Sequence, residues 1–152
     1  MIYESRKQKI NTNNTTMETK IADCIFCNVM EKLFLYETKH SVVLINLFQV
    51  EGVEAIAIVP KRHVETVLEL PEEEYIDLFL TTRNVHKKLA ENGWFELNYI
   101  LNEGTKISGK TVAHAHMLIF TRKENDGITS MYRPTAKSVT DEHLTTLRKL
   151  FV

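Results

Sequence analysis

The sequence predicts an α+β domain with an antiparallel sheet, and three observations lead there. Short apolar runs rich in β-branched residues fill the stretch from Leu33 to Pro60. One long helical period follows, from Pro71 to Asn92. Two more strand-like runs come after it with no alternating βαβ rhythm, the pattern of an antiparallel sheet with a segregated helix.

Each element has a local reason. Leu33 to Tyr36 is the first strand, and the polar stretch from Glu37 to His40 turns the chain. Val42 to Leu47 and Ala55 to Val59 are the second and third strands, separated by a turn at Gly52 and stopped by Pro60. Their near-continuous apolar character implies strands covered on both faces, or on one face and an interface. Pro71 suits the start of a helix, and Glu72, Glu73 and Glu74 suit its positive end. Tyr75, Leu78, Phe79, Val85 and Leu89 form its apolar stripe, and Asn92-Gly93 ends it. Phe95 to Leu101 and Thr111 to Phe120 are the last two strands, joined by a polar loop at Asn102 to Lys110. A short C-terminal helix is predicted over Asp141 to Phe151, with Thr140 as its N-cap.

The 152 residues divide into a tail, residues 1–20, and one domain, residues 21–152. The tail is rich in Asn, Thr and Lys and too poor in apolar residues to offset the entropy of ordering it. Nineteen basic against 20 acidic residues argue against a nucleic-acid binder, which ordinarily carries a clear positive excess. No apolar run approaches the ~20 residues that span a bilayer, so no membrane partner is expected. No apolar stretch of the secretory kind follows the basic N-terminus, so a cytoplasmic location is expected. In that compartment a Cys pair points to metal or redox chemistry ahead of a structural disulfide.

Three features carry chemistry. Cys24 and Cys27 have the spacing for half of a tetrahedral zinc site; a redox pair and two buried apolar thiols are the competing readings. In the strand from Val112 to Phe120, alternation puts His114 and His116 on one face, roughly 6–7 Å apart. Two imidazoles in an apolar strand call for partners, since burying them unsatisfied is costly. The loop from Asn102 to Thr111 holds two glycines, hydroxyls and two lysines, the ingredients of an anion cradle, although most such hairpin loops bind nothing. It ends just before His114.

Taken in order, Cys24-Ile-Phe-Cys27, Val43-Leu-Ile-Asn46, Ile58-Val-Pro-Lys-Arg-His63, Asn102-Glu-Gly104 and Gly109-Lys-Thr-Val-Ala-His-Ala-His116 resemble the histidine-triad family of nucleotide hydrolases and transferases. The resemblance covers about residues 22–122. It implies a five-stranded antiparallel sheet with one long helix, and a homodimer paired through that helix and a neighbouring strand. By position it makes His116 the nucleophile that attacks the α-phosphorus of a purine nucleotide phosphoramidate or dinucleoside polyphosphate, through a nucleotidyl-histidine intermediate. A backbone carbonyl accepting from its other ring nitrogen would hold it in one tautomer. Gly109, Lys110, Thr111 and Asn102 would hold the phosphate, Asn46 the ribose, and Ile25, Phe26, Val29 and Leu44 the base. In the zinc-carrying branch, Cys24 and Cys27 are joined by His63 and His114 around a structural Zn²⁺. His40, His86 and His143 match nothing and read as surface residues.

The sequence departs from the family pattern at four points. The third histidine is Leu118, the usual Gln is Lys110, the loop before His114 is one residue longer, and Asn46 stands where Asp is frequent. Loss of the third histidine implies weak catalysis, or in the alternative a nucleotide-binding protein with little or none.

Overall fold

The computed structural model describes residues 22–46 and 53–126. The predicted tail and C-terminal helix lie outside the described residues, as does His143. Five strands form one antiparallel sheet: β1 (Phe34–Glu37), β2 (Ser41–Ile45), β3 (Ala55–Pro60), β4 (Leu97–Leu101) and β5 (Met117–Thr121), in the order β1-β2-β3-β5-β4. One long helix, α1 (Glu72–Glu91), crosses the sheet, as the sequence predicts. No helix among the described residues is long and apolar enough to cross a membrane.

Alternation in the three central strands feeds two separate cores. Val43, Ile58, Met117 and Ile119 pack with Leu78 and Val85 of α1 and with Val64, Val67 and Leu70 of the segment before it. On the opposite face Val42, Leu44, Ala57, Val59 and Leu118 pack with Phe26 and Val29 from the N-terminal segment. Both faces are therefore covered, which explains the unbroken apolar runs. Leu44, Ala57 and Leu118 stand in one cross-strand row, since Leu44 pairs with Ala57 and Ala57 with Leu118.

Three expectations need correction. The last strand starts at Met117, not Thr111, so His114 and His116 precede the ladder. The reason is that β3 stops at Pro60; the Ala115 amide instead donates to the carbonyl of Val64 in the loop beyond, at 2.7 Å. Tyr75 and Phe79 are not on the buried stripe of α1, with 40% and 36% of their surface exposed. Glu74, Thr81 and Thr82 are buried beside Leu78 and Val85 in their place, and Thr82 Oγ1 satisfies itself on the Leu78 carbonyl at 2.8 Å. Finally, His40 and His86 are half-buried. His40 Nε2 lies 3.8 Å from Glu73, and His86 Nδ1 bonds the Tyr99 hydroxyl.

Glu74 is buried because Arg62 reaches it from the end of β3. The Arg62 Nε donates to both carboxylate oxygens, at 3.1 and 2.8 Å, and an Nη donates to Oε1 at 2.6 Å. These bonds hold the Glu74 carboxyl below the usual carboxylate range against the opposing effect of burial. A depressed folded-state pKa adds stability that is present above the unfolded value and is lost as pH falls through the folded one. Glu74→Gln is therefore expected to cost about 1–2 kcal/mol at pH 7, discounted for the partly exposed Arg62, and less in acid below the unfolded value. Urea melts of both proteins at pH 7 and pH 3 check this, and an equal difference at the two pH values refutes it.

Candidate metal centre and nucleotide site

The segment from Cys24 to Asn28 is a tight turn. The Cys24 carbonyl accepts from the Cys27 and Asn28 amides, both at 3.1 Å, and from Asn28 Nδ2 at 3.0 Å. This aims both sulfurs toward His63, three residues after β3, and His114, three before β5. Cys24 Sγ lies 3.4 Å from His114 Nδ1, and Cys27 Sγ lies 3.3 Å from His63 Nδ1 and 3.7 Å from His114 Nδ1. All four donor atoms fall within 4.8 Å of one another, so the cluster can hold a metal ion.

Bond lengths of ~2.3 Å for Zn–S and ~2.0–2.1 Å for Zn–N give tetrahedral edges of about 3.3–3.8 Å, so the donor set fits that ion. The orientation of His114 fits too. Its Nε2 lies 2.9 Å from the Pro60 carbonyl, which can only accept, so Nε2 carries the proton and Nδ1 keeps its lone pair for the metal. Burial pushes the His114 pKa down to about 4, so the ring is neutral, as a ligand must be.

His116 lies two residues on and is 6% exposed. Its Nδ1 donates to the His114 carbonyl at 2.8 Å, which leaves the lone pair on Nε2. Burial lowers its pKa; the bond to the carbonyl opposes that, and the Lys110 charge adds to it. The Phe26 ring packs against it, with centroids 4.9 Å apart.

Phe26 also lines a cavity of about 220 Å³ with Ile25, Val29, Leu44, Met30, Leu33 and Ile45. All four residues read as walls of a base pocket thus lie around one apolar hollow. Asn46 follows directly after Ile45, its amide bonded to the Ala55 carbonyl at 2.8 Å. Thr111 lies on a second cavity of about 450 Å³ with Ile25, His63, Glu65 and Ala113.

The loop residues Asn102 and Gly109 are brought together. Gly109 has φ +86°, and a Cβ there would stand 3.4 Å from Asn102 Nδ2. Gly109→Ala is expected to cost about 1–2 kcal/mol for the left-handed backbone, with the new methyl in ordinary contact with the Asn102 amide. Melting temperature checks it; an Ala variant that melts as the native chain does refutes it. Lys110 is not at the surface of the loop. It is buried, and its ammonium donates to the Glu65 carbonyl.

Two contributors were missed. Glu103 bonds the Val67 amide through Oε1 at 3.2 Å, keeps Oε2 buried, and its charge reaches His116. Only its place beside Asn102 and Gly104 hinted at this. Phe26 touches both His114 and His116, whereas the sequence marked it only as pocket wall.

The family described as HIT domain matches residues 28–125. An uncharacterised HIT-like protein of Methanocaldococcus jannaschii is 27% identical over 108 residues, 68% of this chain and 82% of that protein. A bis(5'-adenosyl)-triphosphatase of Dictyostelium discoideum is 31% identical over 100 residues, 64% of this chain and 65% of that protein. A crystal structure of a HIT-family protein from Bacillus subtilis superposes with a TM-score of 0.72 at 25% identity, over 85% of this chain and 94% of that one.

Proposed function

Because this chain belongs to the HIT domain family, we propose that it is a nucleotidyl hydrolase or transferase acting at the α-phosphate of purine nucleotide conjugates. The observation that carries the reading is the His116 ring. Its Nδ1–H is fixed on the His114 carbonyl, which leaves the lone pair on Nε2, and the ring packs on Phe26, itself a wall of the apolar hollow. The base would enter that hollow between Ile25, Phe26, Val29 and Leu44, and Asn46 would bond the ribose. Asn102, Gly109 and Thr111 would meet the phosphate oxygens, and Lys110 would supply positive charge to them. A structural Zn²⁺ on Cys24, Cys27, His63 and His114 would tie the N-terminal segment to the nucleophile's own backbone.

Turnover of diadenosine polyphosphates and of adenosine and guanosine phosphoramidates tests the reading. Release of a mononucleotide supports it; nucleotide binding without release supports the binding-only alternative, which Leu118 favours by placing an apolar side chain in the Phe26 and Leu44 cluster.

A homodimer belongs to the same proposal, along with a cytoplasmic setting and no nucleic-acid or membrane partner. Tyr75, Ile76, Phe79 and Leu80 on α1 and Tyr99 on β4 are exposed apolar side chains, the kind of surface that pairing removes from water. Light scattering at micromolar concentration is expected to give twice the chain mass; a monomer refutes this.

A further inference from the structure

The apolar hollow has two walls that are held in different ways. One is β2, through Leu44 and Ile45; Leu44 is laddered to Phe34 and Ala57, and Ile45 to Ile56. The other is the N-terminal segment before β1, through Cys24, Ile25, Phe26 and Val29. That second wall is also the frame of the metal cluster. Ile25 and Phe26 are the two residues between Cys24 and Cys27, so no slack separates the wall from the sulfurs. The turn is closed as one body: the Cys24 carbonyl accepts from the Cys27 and Asn28 amides and from Asn28 Nδ2, which also donates to the Ala22 carbonyl at 2.8 Å. The segment packs on the sheet through Phe26 and Val29, and its sulfurs face His63, after β3, and His114, before β5. Ile25 is 45% exposed, so packing alone fixes its side of the hollow weakly.

We infer that metal and nucleotide bind this chain cooperatively, because the Cys24–Cys27 turn is at once the ligand frame of the first and a wall of the pocket for the second. The inference rests on the nucleotide-binding part of the reading above. With the cluster filled, the two sulfurs have a set place relative to His63 and His114, and Ile25 and Phe26 stand opposite Leu44 and Ile45 before a base arrives. With the cluster empty, the turn loses that anchor. A base must then bring the wall into place itself, and the ordering consumes part of its binding free energy. The coupling runs equally in the other direction. A base clasped between the two walls keeps the sulfurs beside the histidines, so the metal is held more tightly by the same factor. Nothing in this requires chemistry at His116, so the coupling applies to the hydrolase and to the binding-only alternative alike. The result is a nucleotide site whose affinity follows the supply of zinc.

The probes are Zn²⁺ and adenosine 5'-monophosphate on the full chain. Zinc affinity is measured by competition with a coloured chelator at rising AMP, and AMP affinity by calorimetry on the zinc-loaded and zinc-free chain. AMP is expected to raise zinc affinity at least ~5-fold, the gain levelling off once AMP saturates, and zinc to raise AMP affinity by the same factor. Ile25→Ala, at a half-exposed position on the turn, is expected to shrink the factor toward one. Ile45→Ala, on the opposite wall and 38% exposed, is expected to weaken AMP binding and keep the factor. Equal AMP affinity with and without zinc overturns the inference and leaves the nucleotide reading intact. So does an Ile25→Ala chain that keeps the full factor. A gain that climbs in proportion to AMP without levelling off also overturns it, since AMP would then bind only to a chain that the metal has folded. A zinc-loaded chain that does not bind AMP overturns the inference together with the nucleotide reading.

Discussion

Removing the metal from Cys24, Cys27, His63 and His114 is expected to lower stability by at least about 3 kcal/mol, a shift in melting temperature on the order of 10 °C for a domain of this size. The four donors come from three separate parts of the chain: the N-terminal turn, the loop after β3 and the segment before β5. Without an ion, the same donor atoms stand within 4.8 Å of one another and their attraction is limited to weak sulfur–nitrogen contacts. The N-terminal turn would then lose its tie to His63 and His114 and keep the packing of Phe26 and Val29. Melts with and without a chelator, on protein whose zinc content is known from elemental analysis, make the measurement. Metal-replete protein with no zinc, or a melt that chelation does not move, refutes it. Cys27→Ser is expected to reproduce most of the loss, because three donors hold the ion less tightly than four.

On the hydrolase reading, His116→Ala is expected to lower turnover by at least ~10³-fold, since it removes the Nε2 lone pair that would take up the phosphorus. The imidazole is 6% exposed, so the variant also leaves a small void next to Phe26, worth about 1–3 kcal/mol. Nucleotide affinity separates the two effects. A variant that binds as the native chain does but fails to turn over has lost chemistry alone. Mass spectrometry of a quenched reaction is expected to show one nucleotidyl group on the native chain and none on the variant. Full activity in His116→Ala refutes the nucleophile assignment.

The sheet and α1 were legible because their cause is local. Short β-branched apolar runs, Pro71 and three successive glutamates act over a few residues, and the structure has β2, β3 and α1 within about two residues of their expected limits. The segment around His114 was not legible, because its conformation depends on where a different strand stops. Thr111 to His116 has the pattern of a strand but no ladder partner, since β3 turns away at Pro60. The face of α1 was half legible. Spacing placed Tyr75 and Phe79 with Leu78, but Arg62 draws Glu74 inward and the helix turns its aromatic residues out. For the metal ligands, Cys24 and Cys27 alone left three readings open, and the order of motifs chose among them. The burial of Lys110 on the Glu65 carbonyl could not be read at all, because a loop lysine reads as a solvated one.

The division of the sheet into two cores bears on how such a site can be altered. Along β5, Met117 and Ile119 belong to the helix side while Leu118 belongs to the other. Positions 42, 44, 57, 59 and 118 therefore form a panel packed separately from the core under α1, and the burial of Leu44, Ala57 and Val59 limits the size of what can replace them. The same panel offers a compact target for libraries that retune which molecules the protein accepts, with the opposite core left as a constant frame.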